Sequence, residues 1–93
     1  MPIHFTWDEA KRRGNLRRHG LDFADAPAVF SGPTLTYEDD RFDYGERRYV
    51  TLGWIGTIAV SLVHTESPER IHFISFRKAT RHEEALLLRG LAH

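Results

Sequence analysis

The stretch Arg48-Tyr49-Val50-Thr51-Leu52-Gly53-Trp54-Ile55-Gly56-Thr57-Ile58-Ala59-Val60-Ser61-Leu62-Val63 carries the same two-residue period twice. Arg48, Val50, Leu52 and Trp54 alternate with Tyr49 and Thr51, and Ile58, Val60 and Leu62 alternate with Ala59, Ser61 and Val63. Side chains two positions apart share one face of a strand, so the spacing predicts two strands, with a tight turn over Gly53 to Gly56. Toward the C-terminus, Glu66-Ser67-Pro68-Glu69 reads as the next turn and Arg70 to Phe76 as the last strand. Thr80-Arg81-His82-Glu83 then matches a capping box, opening a helix whose apolar contacts are Ala85, Leu86, Leu87 and Leu91.

Toward the N-terminus, Thr34 to Glu38 is β-rich, and the acidic run Asp39 to Glu46 reads as a loop or wide turn. Ser31-Gly32-Pro33 is a firm break. Before it, Asp22 reads as an N-cap, and Phe23, Ala26 and Phe30 follow helical spacing. Pro27 removes an amide donor there, so the helix either starts later or is kinked. Thr6-Trp7-Asp8-Glu9 matches a first capping box, with a helix to about Arg18 that Gly20 ends. Its surface is basic, and Trp7, Ala10 and Leu16 are its expected apolar contacts. Ile3 to Phe5 is short and alternating, enough to add a strand. Helices, then strands, then a helix make an α+β domain with an antiparallel sheet of about four strands. Ninety-three residues suit a single domain over 1–93.

Hydrophobic residues make up 41% of the chain, which excludes a disordered tail. There is no cysteine, so no disulfide framework exists, as expected of a protein in the reducing cytoplasm. Met1-Pro2-Ile3-His4 lacks the basic start and apolar run of a signal peptide, and the apolar stretch from Ile55 to Val63 is too short for a bilayer. The net charge of zero conceals a sorting along the chain. Residues 1–20 hold five basic and two acidic groups, 21–46 hold one and seven, and 47–93 hold seven and four. A nuclease can work from a local basic cleft in a neutral protein, because phosphate contacts respond to nearby charge. The same counts also suit an ordinary solvated surface.

Metal and cofactor chemistry find little support. The six histidines include no HExxH spacing, and neither a GxSxG elbow nor a phosphate-binding glycine loop is present. A histidine-bound metal would need ligands from distant positions. What remains is basic residues at element ends: Arg47 and Arg48 open one strand, and Arg77 and Lys78 close another just before a helix. Arginine forks hold phosphate oxygens in pairs, and a helix N-terminus favours an anion. RNA cleavage without metal needs a base, an acid and such cations, and His19 and Glu46 are suitable proton carriers. Equally, Arg47 and Arg48 can pair with the acidic loop while His19 merely ends its helix.

Four short motifs in order now bear on that choice. Phe5-Thr6-Trp7-Asp8 with Lys11, Asn15 and Arg18-His19-Gly20 resembles the opening of the BrnT toxin family. Phe23, Ala26, Val29 and Phe30 resemble its next segment, Gly45-Glu46-Arg47-Arg48 its GExR signature, and Phe73 to Ala79 its RIISARKA signature. The resemblance implies a RelE-like fold and a ribonuclease toxin that blocks translation without a cofactor. It also implies a BrnA-like antitoxin whose ribbon-helix-helix region binds operator DNA. On that reading Arg48 and Arg77 hold phosphate, while His19, Glu46 and Lys78 transfer protons or stabilise charge. Ser67, His72 and Phe76 depart from the family pattern. These departures raise the alternative of a catalytically weak module that only binds its antitoxin, for which the acidic segment Glu38 to Glu46 is a candidate surface.

Overall fold

A computed structural model describes residues 2–41 and 45–91. The order is β1 (His4–Thr6), α1 (Glu9–His19), a 3₁₀ helix (Phe23–Ser31), β2 (Leu35–Asp39), β3 (Arg48–Ile55), β4 (Ile58–Ser67), β5 (Arg70–Lys78) and α2 (Arg81–Leu91). One five-stranded sheet runs β1-β5-β4-β3-β2. The four strands expected from residues 34–76 pair as antiparallel neighbours, and β1 makes the fifth by lying parallel to β5. Among the described residues no helix is long and apolar enough to cross a membrane.

The period of two sorts the sheet into two differently covered faces. On one, Val60, Leu62, Phe73 and Phe76 are fully buried against Phe23, Ala26 and Val29 of the 3₁₀ helix. Phe73 is the hub of this core, with Phe5, Trp7 and Phe23 rings centred 5.6, 6.0 and 6.1 Å away. On the other face, Val50, Leu52 and Ala59 pack against Leu87 of α2. The segment around Pro27 winds as a 3₁₀ helix rather than an α-helix, capped by the Asp22 side chain on the Ala24 amide at 2.9 Å.

Gly53 does not start a turn. It lies inside β3, which continues to Ile55, and the reversal falls at Gly56, where φ is +58°. A Cβ on Gly53 would stand 2.6 Å from Val29 Cγ1, so its missing side chain lets the 3₁₀ helix settle on the sheet. The first capping box is also corrected. Asp8, not Thr6, caps α1, accepting from the Lys11 amide at 3.0 Å. Thr6 belongs to β1, and its hydroxyl meets His72 Nδ1 at 2.8 Å across the parallel pair. Glu9 instead forms an ion pair with Arg12 at 2.7 Å.

α1 does not dock as its sequence suggests. Leu16 is 41% exposed, and the one buried residue of the helix is Asn15. The β1 pairing ends at Thr6 and His72, so the edge of β5 beyond it needs another partner. Asn15 supplies it: Oδ1 accepts from the Phe76 amide at 3.0 Å, and Nδ2 donates to the carbonyls of Phe76 at 2.8 Å and Leu21 at 2.9 Å. A single side chain thus extends the ladder and holds the chain that leaves α1. Replacing Asn15 with alanine orphans those three backbone groups, and should cost about 3 kcal/mol or more in urea unfolding. A variant as stable as the parent would show that the bridge contributes nothing.

Candidate nucleic-acid interface

Cross-strand register places the candidate residues. Tyr37, Val50, Val63 and Ser75 form one row across the sheet, and Leu35, Leu52, Ser61 and Arg77 the next. Residues directly opposite share a face. Arg77 and Arg48, the latter opposite Asp39, therefore project from the face that α2 only partly covers. Lys78 follows Arg77 by one position, so it lies on the opposite face, opposite Val60, and is exposed. His19 closes α1 and lines a cavity of about 430 Å³ between that helix and β5, with Lys11 and Arg18. Glu46 lies by a separate depression with Arg47, Thr65 and Ser67, and its Oε1 is 3.6 Å from Arg48 Nε. The five residues expected to act together are thus spread over the two faces and one edge of the sheet. Arg48 and Arg77 share a face, and Glu46 joins them through Arg48. The Arg48–Glu46 pair fits the expected pairing with the acidic loop, whereas Arg47 pairs with Glu38 of β2 at 3.7 Å.

Arg77 sits at a cavity of about 200 Å³ floored by Val50, Ser61 and Val63 and flanked by Tyr37. Its guanidinium grips the Glu83 carboxylate with both forks, Nη1 to Oε1 at 2.8 Å and Nη2 to Oε2 at 2.9 Å. Glu83 also completes the capping box, accepting from the Thr80 amide at 2.8 Å while its own amide donates to Thr80 Oγ1 at 3.1 Å. Glu38, Asp39 and Asp40 line the rim together with Arg41, whose guanidinium holds the Asp39 carboxylate at 2.8 and 3.0 Å. The Ser61 hydroxyl, buried in the floor, has no hydrogen-bond partner among the described residues. Sequence reasoning found Arg77 but missed Tyr37, Ser61 and Glu83. Only the capping-box spacing hinted at the last. Among the described residues no three His, Asp or Glu side chains are gathered as metal ligands.

Two of the departures from the family pattern are absorbed by the fold. Phe76 is fully buried in the core, and His72 makes the bond to Thr6. Ser67 stays exposed at the end of β4.

The model of a family described as the ribonuclease toxin, BrnT, of type II toxin-antitoxin systems matches residues 7–83. The chain belongs to the BrnT family. The Brucella abortus ribonuclease toxin BrnT, solved at 1.1 Å, is similar to it with a TM-score of 0.69 and 27% identity over 85% of this chain and 99% of that one. A comparison with curated protein sequences gave no match. The shared BrnT fold is an α+β structure, and the family is one of ribonuclease toxins with antitoxin partners.

A buried histidine and a half-buried carboxylate give the stability of this BrnT-family chain a two-stage pH dependence. His64, fully buried beside Phe30 and Tyr49, is pushed down to about 4 by burial, and Thr51 Oγ1 lies 2.7 Å from its Nε2. The unfolded chain takes up that proton near 6.5, so stability falls as pH drops from 6.5 to 4, by on the order of 3 kcal/mol. Burial alone would raise the Glu83 carboxyl, but Arg77 and the Thr80 amide outweigh it and hold it below 4.5. Its contribution is present above 4.5 and disappears as pH falls through the lowered folded value. Urea unfolding across pH should show both stages, with His64→Gln flattening only the upper one and Glu83→Gln only the lower.

Proposed function

We propose that this toxin is a metal-independent endoribonuclease of the cytoplasm, neutralised by a BrnA-like antitoxin with a ribbon-helix-helix DNA-binding region. The observation that carries the reading is the placement of Arg48 and Arg77 on one face of the sheet, in a chain of the BrnT family. The bidentate grip of Arg77 on Glu83 supports its part, because a carboxylate presents two oxygens as a phosphate does. RNA phosphate would displace Glu83 from that fork. A base among His19, Glu46 and Lys78 takes the ribose 2′-hydroxyl proton, and the 2′-oxygen attacks the adjacent phosphorus. Arg48 and Arg77 stabilise the phosphorane charge. An acid from the same set protonates the departing 5′-oxygen, leaving a 2′,3′-cyclic phosphate and a 5′-hydroxyl. The separation of His19 and Lys78 from the arginine face favours Glu46, beside Arg48, as the nearest proton carrier.

A second reading draws on the same contact: with its fork filled by Glu83, Arg77 is a structural tie, and the chain is a module that only binds its antitoxin. The acidic rim from Glu38 to Asp40 suits a basic partner segment under either reading. Residues 42–44 of the acidic run lie outside the described residues.

Inducing the gene without its antitoxin should arrest growth with decay of RNA, and purified toxin should cut RNA in the presence of a chelator. Arg77→Ala combined with Glu83→Gln, which leaves no unpaired carboxylate in the cavity, should lower cleavage at least a hundredfold while the protein stays folded. Full cleavage by that double variant would remove Arg77 from the reaction, and normal growth with the parent would favour the binding module.

A further inference from the structure

We propose that the cleft between α1 and β5 is a phosphate-binding subsite for the RNA strand, built by Lys11 and Arg18 with the Ser75 hydroxyl, next to the Arg77 cavity. The proposal rests on the ribonuclease reading and extends it to residues that reading does not use. Its first support is charge. Arg12, Arg41, Arg47, Arg48 and Arg77 each stand within 4 Å of a carboxylate. Lys11 and Arg18 do not, and among the described residues their side chains make no hydrogen bond or ion pair. The cleft they line contains His19 and no aspartate or glutamate. Cations held in a concavity away from counter-charges remain available to an external anion, and their field is focused there.

A second, independent support is Gly14, which lies between them on the same helical face and lines the same cleft. A helix-interior glycine is a poor choice for stability. Nothing in the fold requires it: its φ is not positive, and the nearest atom to an added Cβ is Arg17 Nη2 at 4.0 Å. The glycine opens the helix wall where a ligand would approach between Lys11 and Arg18.

Position supplies the third support. Ser75 borders the cleft, while its cross-strand neighbour Val63 floors the Arg77 cavity. Ser75 and Arg77 are alternate residues on one face, roughly 7 Å apart along the strand. That spacing is comparable to neighbouring phosphates of an extended single strand. An RNA held at Arg77 therefore passes its next phosphate to Ser75, Lys11 and Arg18.

The test measures binding of a single-stranded RNA oligonucleotide with 2′-O-methyl riboses, which resists cleavage, by fluorescence anisotropy over a range of salt. Cleavage of the unmodified RNA and affinity for the antitoxin are measured beside it. Lys11→Ala with Arg18→Ala should weaken RNA binding about tenfold and reduce the slope of log K against log salt by roughly 0.7 for each phosphate no longer neutralised. Gly14→Leu should raise the unfolding midpoint by a few degrees, since leucine is a better helix former, yet weaken RNA binding about as much. Unchanged RNA affinity and salt slope in both variants would overturn the subsite while leaving the ribonuclease reading intact. Weaker antitoxin binding with unchanged RNA binding would overturn it in favour of an acidic protein segment. A wild-type protein that neither binds nor cuts RNA would overturn the ribonuclease reading itself, a failure visible before any variant is made.

Discussion

The carboxamide of Asn15 is the contact on which the arrangement of this molecule turns. A strand edge leaves amides and carbonyls without partners, and β1 covers the β5 edge only as far as His72. Asn15 answers both polar groups of Phe76 with one side chain, and in the same geometry holds the Leu21 carbonyl where the chain turns toward the core. A side-chain amide presents a donor and an acceptor side by side as a peptide does. The helix is therefore fixed to the sheet by polar geometry rather than by an apolar stripe. That leaves its remaining surface free to be basic, and it fixes the face that carries Lys11, Gly14 and Arg18 along β5.

The opposite face is organised by another shared side chain. Glu83 belongs at once to the N-terminus of α2, through Thr80, and to the sheet, through Arg77. Its carboxylate thereby couples helix position to the state of the arginine fork. A phosphate that displaced Glu83 from Arg77 would also loosen a helix cap, a conformational cost that an anion in the α1 cleft would not meet. The two places differ in the same sense electrostatically: the arginines of one are paired with carboxylates in its lining, while the lining of the other has cations and no carboxylate.

The sequence was readable where the signal is a repeated period. Strands β3 to β5 and the α2 capping box emerged because alternation and the Thr80–Glu83 spacing are local patterns. It was opaque where a long-range contact decided the matter. Thr6 looks like a cap until His72 claims its hydroxyl, Leu16 looks buried until Asn15 takes the contact, and Gly53 looks like a turn until Val29 needs its space. The candidate site suffered likewise. Basic residues at strand ends were visible, but adjacent positions such as Arg77 and Lys78 point to opposite faces, so chain proximity grouped residues that the sheet separates. Lys11 and Arg18 were hidden in a run with Arg12, Arg13 and Arg17. Arg12 is set apart by its pairing with Glu9 and Asp22, but Lys11 and Arg18 differ from Arg13 and Arg17 only in lining the cleft against β5, which is a tertiary fact.

A net charge of zero is compatible with nucleic-acid binding in this fold because neutralisation is local. Carboxylates sit beside arginines at the α1 start, at the β2–β3 end and at the α2 cap, and each such pair offers little field to a distant phosphate. The positive potential that survives is that of cations without such partners, and the structure gathers Lys11 and Arg18 in one cleft. Total charge measures the sum of pairs and exceptions alike. For a protein of this size the exceptions determine where positive field remains, and the position of these two follows from the helix that Asn15 holds in place.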